Sequence, residues 1–110
     1  MTIKLPSSIE AYFTAERDGG PDELAAVFTE NAIIKDAGED LMGHAAIRQW
    51  KVDYSNKFGP TVTEPFFITK ENGKTLVTAH VSGEFPGSPI DLRYFFILSG
   101  DKIAELEITV

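Results

Sequence analysis

The sequence predicts an α+β fold in which three N-terminal helices pack on a curved, mainly antiparallel sheet. Three observations lead there. Apolar side chains in the first half recur at helical spacing, as in Ile47, Trp50, Tyr54 and Phe58. The second half is a run of strand-like segments joined by short turns, with Asn72-Gly73 the strongest hairpin signal. Gly59-Pro60 separates the halves, a pair that stops a helix.

The first helix is expected from Ser7 and Glu10, which form an S-x-x-E capping pattern ahead of Ile9, Tyr12, Phe13 and Glu16. Gly19-Gly20 ends it. Pro21, followed by Asp22 and Glu23, suits the first turn of a second, short helix whose apolar positions are Leu24, Val27 and Phe28. A strand is expected over 32–36, then an acidic loop, Gly38-Glu39-Asp40, and, after Gly43, a longer third helix that Gly59-Pro60 stops. Four strands follow, over 61–70, 74–84, 90–98 and 103–110, with Phe85-Pro86-Gly87-Ser88-Pro89 as a rigid connection that also has an apolar side chain to cap a cavity or meet a partner.

At 110 residues the chain is expected to be a single domain over 1–110, large enough to bury a core without covalent staples. The absence of cysteine removes disulfides and thiolate metal ligands and fits a reducing compartment; no basic leader or long apolar run is present, so the expectation is a soluble, cytoplasmic protein. A net charge of −7, from 10 basic and 17 acidic residues, argues against nucleic acid and anionic membranes as partners. His44 and His80 are far apart and have no metal-ligand spacing, so neither a metal nor another cofactor is expected.

Along 90–98 the even positions Ile90, Leu92, Tyr94, Phe96 and Leu98 are apolar throughout, and the odd positions turn apolar at Phe95 and Ile97. A strand apolar on both parities is covered on both faces. Helices suffice for one face, so the other is expected to meet a second copy, giving a homodimer through the sheet.

The stretch Ala32-Ile33-Ile34-Lys35-Asp36-Ala37-Gly38 carries a carboxylate to the end of a strand, and Tyr12 lies on the apolar face of the first helix. Together they offer a base and a hydrogen-bond donor in one pocket. Asp36 has a second reading, bonding to amides of its own loop, and Tyr12 a second one as a core aromatic. His80 is a general acid–base candidate or a structural strand residue. The pocket wall is expected from Trp50, Tyr54, Tyr94, Phe96, Phe28 and His80. No phosphate loop, nucleophile elbow or nucleotide fingerprint is present.

Val27-Phe28-Thr29-Glu30-Asn31-Ala32, Asp36-Ala37-Gly38 with Gly43-His44-Ala45-Ala46-Ile47-Arg48-Gln49-Trp50, and Gly83-Glu84-Phe85-Pro86-Gly87-Ser88-Pro89 with Asp101-Lys102-Ile103 resemble the SnoaL-like group of the nuclear transport factor 2 (NTF2)-like superfamily. The resemblance implies a cone-shaped fold, its sheet wrapped around a long helix with a pocket inside. It leaves function open, because this fold hosts isomerases, cyclases, dehydratases, hydrolases and proteins without catalysis. The ketosteroid isomerases of the superfamily place a general-base Asp and an oxyanion-binding Tyr at positions that line up with Asp36 and Tyr12. Their second oxyanion donor falls near Arg93 or Tyr94, so in this chain it is absent, moved to Asp91 or replaced by the Tyr94 hydroxyl. The function implied is a cofactor-independent acid–base enzyme acting on a small apolar carbonyl compound. The alternatives are a non-catalytic pocket lined by Trp50, Tyr54 and Phe96, or a dimerisation domain whose own side chains fill the cavity.

Overall fold

The computed structural model describes residues 3–110. Helices α1 (Ser7–Asp18) and α2 (Pro21–Ala26) precede strands β1 (Phe28–Asp36) and β2 (Glu39–Met42); helix α3 (Gly43–Phe58) leads into β3 (Thr61–Glu71), β4 (Lys74–Gly83), β5 (Ile90–Ser99) and β6 (Lys102–Thr109). The six strands make one curved, unclosed sheet in the order β2-β1-β6-β5-β4-β3. All neighbours are antiparallel except β1 and β6, which run parallel.

Two strand features correct the sequence reading. Phe28 opens β1 and is not part of α2, which stops at Ala26; the Ile103 amide donates to the Val27 carbonyl and Phe28 aligns with Ile103, so pairing with β6 overrides helical spacing. The acidic segment after Asp36 is a strand: Asp36 faces Glu39 and Ile33 faces Met42 across a two-residue turn. Ala37 and Gly38 both take positive φ, 52° and 81°, as do Asn72 and Gly73 in the β3–β4 hairpin, the backbone that matches strand twist in a tight turn. β2 carries no strand signal in the sequence because Glu39 and Asp40 are exposed, which removes the apolar alternation that marks a half-buried strand.

Capping differs too. Pro6 is the N-cap of α1 and no side chain caps that end, so the Ser7–Glu10 box does not form. The reach-back is made at α2, where the Glu23 carboxylate accepts the Gly20 amide at 2.7 Å. In β1 a bulge lies between Phe28 and Ile33, and the His44 ring donates through Nε2 to the Phe28 carbonyl at 3.0 Å, which binds the start of α3 to that irregular stretch.

The helices cover one face of the sheet. Between the layers lie Ile9, Leu24, Ile34, Ile47, Ile103 and Leu106, each sealed from solvent. Burial of each such side chain contributes about 1.5–3 kcal/mol. The ring of Tyr12 meets Phe13, Phe28 and Phe96 edge-on, at centroid distances of 5.0, 6.0 and 5.5 Å. On β4 and β5 the inward positions are Val77, Ala79, Tyr94 and Phe96; Leu76, Thr78, Arg93 and Phe95 face away from the helices.

Candidate functional site

Where α1 and α3 diverge over the end of β1, the core opens into a cavity of about 780 Å³. Tyr12, Glu16, Asp36, Trp50, Tyr54 and Tyr94 line it, and Phe58 and Phe85 continue the wall. Asp53, Lys57 and Asp40 stand exposed at its rim.

Strand register sets Asp36. It is two residues beyond the sealed Ile34 and aligns with Ile108, so the pleat turns its side chain to the helix layer. The carboxylate does not fold back on its loop: the Trp50 indole donates through Nε1 to Oδ2 at 3.0 Å. Trp50 lies on the inner stripe of α3 with Ile47 and Tyr54, one turn from each. From Trp50 the rings continue to Tyr54 at 5.6 Å, from Tyr54 to Phe58 at 5.0 Å and from Phe58 to Phe85 at 5.7 Å.

Three phenols and the carboxyl groups of Glu16 and Asp36 share this cavity. Burial, then the charge environment of Tyr94, Glu16, Tyr54 and Asp36, pushes Tyr12 well above its ordinary range. Burial and the same two carboxylates push up Tyr94 and Tyr54. All three are neutral hydrogen-bond donors at physiological pH. Burial also raises the Glu16 carboxyl, against the opposing charge of Lys51. The Lys51 ammonium donates to the Glu16 main-chain carbonyl at 2.6 Å, and Lys51 is only 9% exposed. Adjacent residues of α3 therefore hold both carboxylate-bearing elements: Trp50 grips the end of β1 and Lys51 grips α1.

Of the residues singled out from the sequence, Asp36, Tyr12, Trp50, Tyr54 and Tyr94 come together on this cavity. Phe28 and Phe96 do not line it. They are buried in the aromatic cluster behind Tyr12, with 2% and 0% exposure. His80 is on the opposite face of the sheet, exposed, with its Nδ1 at 2.9 Å from Asp91 Oδ1 on the facing strand. Asp91 is thus engaged with His80 and away from the cavity, while the Tyr94 hydroxyl-bearing ring faces inward. Glu16 was legible only as a helical position; its place one turn after Tyr12, on the apolar face of α1, was the signal that it faces inward. Among the described residues no cluster of three or more His, Asp or Glu side chains is placed to hold a metal ion, and no helix is long and apolar enough to cross a membrane.

Helices on a curved sheet with an aromatic cavity beneath them define an NTF2-like domain. The chain belongs to the SnoaL-like domain family, whose model matches residues 9–106. It is similar to a candidate polyketide cyclase from Sinorhizobium meliloti, with 38% identity, a TM-score of 0.88 and coverage of 96% of this chain and 95% of that one. It also resembles a hypothetical protein of ketosteroid isomerase-like fold from Catenulispora acidiphila, in complex with trimethylamine, at 16% identity and TM-score 0.84 over 97% and 87% of the two chains. An NTF2-like protein of unknown function from Burkholderia xenovorans matches at 16% identity and TM-score 0.72 over 93% and 78%. The last two likenesses show the fold alone. No curated protein matches the sequence.

Proposed function

We propose that the cavity binds a small, largely apolar carbonyl compound and that the chain acts on it as a cofactor-independent acid–base catalyst of isomerase, cyclase or dehydratase type. The observation that carries this reading is the Asp36 carboxylate, turned into an aromatic cavity and oriented by the Trp50 indole at 3.0 Å. Asp36 takes a proton from the carbon next to the carbonyl, and the electrons of that C–H bond move onto the carbonyl oxygen. Tyr12 or Tyr94, kept neutral, donates to the resulting enolate oxygen. Return of the proton from Asp36 to the same or another carbon completes an isomerisation. In a cyclisation the enolate carbon attacks a second carbonyl of the substrate and the proton passes to the new alkoxide oxygen. In a dehydration the enolate expels the β-hydroxyl, which takes the proton and leaves as water. A positioned base contributes about 10²–10⁴-fold and one oxyanion donor about 10²–10³-fold. The Sinorhizobium meliloti relative supports the substrate class, since polyketides are carbonyl-rich.

The test is solvent exchange. Cyclic and aromatic ketones are incubated with the protein in D₂O, and uptake of deuterium next to the carbonyl is followed by NMR. The native chain catalyses uptake and Asp36→Asn does not; equal uptake by both, or none above background from the native chain across the panel, overturns the reading. The Trp50 hydrogen bond also supports a second one, a binding pocket without turnover, because it already occupies one Asp36 oxygen. A ligand that binds and returns without exchange would favour that alternative.

The chain forms a homodimer through its outer sheet face in this proposal. Leu76, Phe95, Ile97 and the half-exposed Phe67 supply apolar surface there, opposite the helices.

A further inference from the structure

We propose that this cavity takes a ligand bearing a positively charged amine, held over the aromatic wall of α1 and α3 and paired with the Glu16 carboxylate. The proposal rests on small-molecule binding in the cavity and is independent of turnover there.

Glu16 carries it. The residue is half-buried, lines the cavity and stands one turn after Tyr12 on α1. Among the described residues its carboxylate takes part in none of the ion pairs and accepts no side-chain hydrogen bond. The opposing charge, Lys51, makes its short contact with the Glu16 main-chain carbonyl. A carboxylate without a close partner in an apolar enclosure is costly, and its burial outweighs the help it receives from Lys51. A cation entering the cavity offsets that cost.

The wall is suited to the same charge. Tyr12, Trp50, Tyr54, Phe58, Phe85 and Tyr94 present ring faces and edges around one space, and a cation over a ring face is attracted by its quadrupole, most strongly where water is excluded. The ring of Phe58 already has an ammonium over it, that of Lys57, at 5.3 Å from the centroid. Asp36, the second inward carboxylate, adds to the negative potential. Lys35 of β1 also borders the cavity, but its ammonium stands next to Glu105 at 3.9 Å and its charge is outnumbered by the acidic lining. The lining carries six acidic side chains, Glu16, Asp36, Glu39, Asp40, Asp53 and Glu107, against two lysines, Lys35 and Lys57, so an anionic ligand meets a surface of net negative charge.

Three small molecules of one shape separate charge from apolar fit: choline, its uncharged counterpart 3,3-dimethylbutan-1-ol and the anion 3,3-dimethylbutanoate. Each is titrated into ¹⁵N-labelled protein while the Trp50 indole resonance, the only one of its kind in the chain, is followed. Choline binds about tenfold more tightly than the alcohol, in line with a desolvated cation–π and charge contact, and the anion produces no saturating shift. Glu16→Gln weakens choline about tenfold and leaves the alcohol unchanged. Equal or tighter binding of the alcohol, absence of a choline response, or unchanged choline affinity in Glu16→Gln overturns the proposal. The charge series needs only the native protein, so it decides even if the variant folds poorly. Binding of the alcohol without choline leaves the acid–base reading standing and removes only the amine.

Discussion

The Trp50 indole nitrogen lies 3.0 Å from Asp36 Oδ2, tying the middle of α3 to the last residue of β1. These residues are on separate layers, and both line the cavity. A hydrogen bond to an ionised acceptor is worth about 1.5–3 kcal/mol when both partners are fixed. Trp50→Phe keeps an aromatic ring and loses the donor. The expected cost is about 1–2 kcal/mol in urea unfolding, the lower end because the pair is only partly buried, together with slower deuterium uptake from a carboxylate no longer held in place. Unchanged stability and uptake would show that the contact positions nothing.

Asp36→Asn preserves shape and the Trp50 contact, since the amide oxygen accepts the same hydrogen bond. Unfolding free energy is expected to stay within about 1 kcal/mol of the native value. Deuterium uptake by a bound ketone falls by about 10²–10⁴-fold. Both are read on one preparation, which separates loss of chemistry from loss of fold.

Glu16 gives a pH signature. Its carboxyl is raised from the ordinary value of 4.5 by burial, with Lys51 opposing, so the folded chain holds this proton to higher pH than the unfolded chain does. Between those two values the folded state binds more protons, and this group's contribution to stability falls as pH rises. Above the window the cost of the buried charge is fully present; below 4.5 it is gone. The stability of Glu16→Gln minus that of the native chain therefore grows from acid to neutral pH, as measured by urea unfolding at several pH values. A difference that shrinks with pH would mean that Lys51 stabilises the carboxylate by more than burial costs it.

Helix α3 ends at Gly59, whose φ of 65° with ψ of −162° is a region only glycine occupies without strain. Nothing stands within 4 Å of where a Cβ would project, so Gly59→Ala tests backbone strain without a clash. The expected loss is about 1–3 kcal/mol. A thermal melt matching the native one would show that the helix end relaxes freely.

On the outer face, Phe95→Glu places a charge at the centre of the proposed dimer contact and near Leu76, its neighbour across the strands. Light scattering on the eluting protein is expected to show a dimer for the native chain and a monomer for the variant. A native monomer would remove the dimer proposal and leave the cavity readings untouched.

Much of the fold was legible because its determinants are local. The Ile47–Phe58 stripe, the Asn72-Gly73 turn and the alternation along β5 each specify their element within a short window. What escaped depended on distant pairing: Phe28 became a strand residue through Ile103, and β2 formed from charged residues because β1 lay beside it. The site divided in the same way. Tyr12, Trp50 and Tyr54 announced an inward face through helical spacing, and Asp36 through its position after an apolar run. The partnership of Asp36 with Trp50 and the insertion of Lys51 between helices need the packing of α1, α3 and β1, which no spacing reveals. Phe96, read from strand parity, and Phe28, read as a helix position, form the floor behind the cavity and not its wall.

The measurement that goes most directly to the account's centre is an NMR screen of small cyclic and aromatic ketones against ¹⁵N-labelled native protein, read at the single indole resonance of Trp50. The account predicts binders that shift this resonance together with the amides of Asp36, Ala37 and Gly38, which line the same cavity. Binders that move only β3 and the outer face of β4, or a panel in which no ketone moves the indole at all, would contradict it.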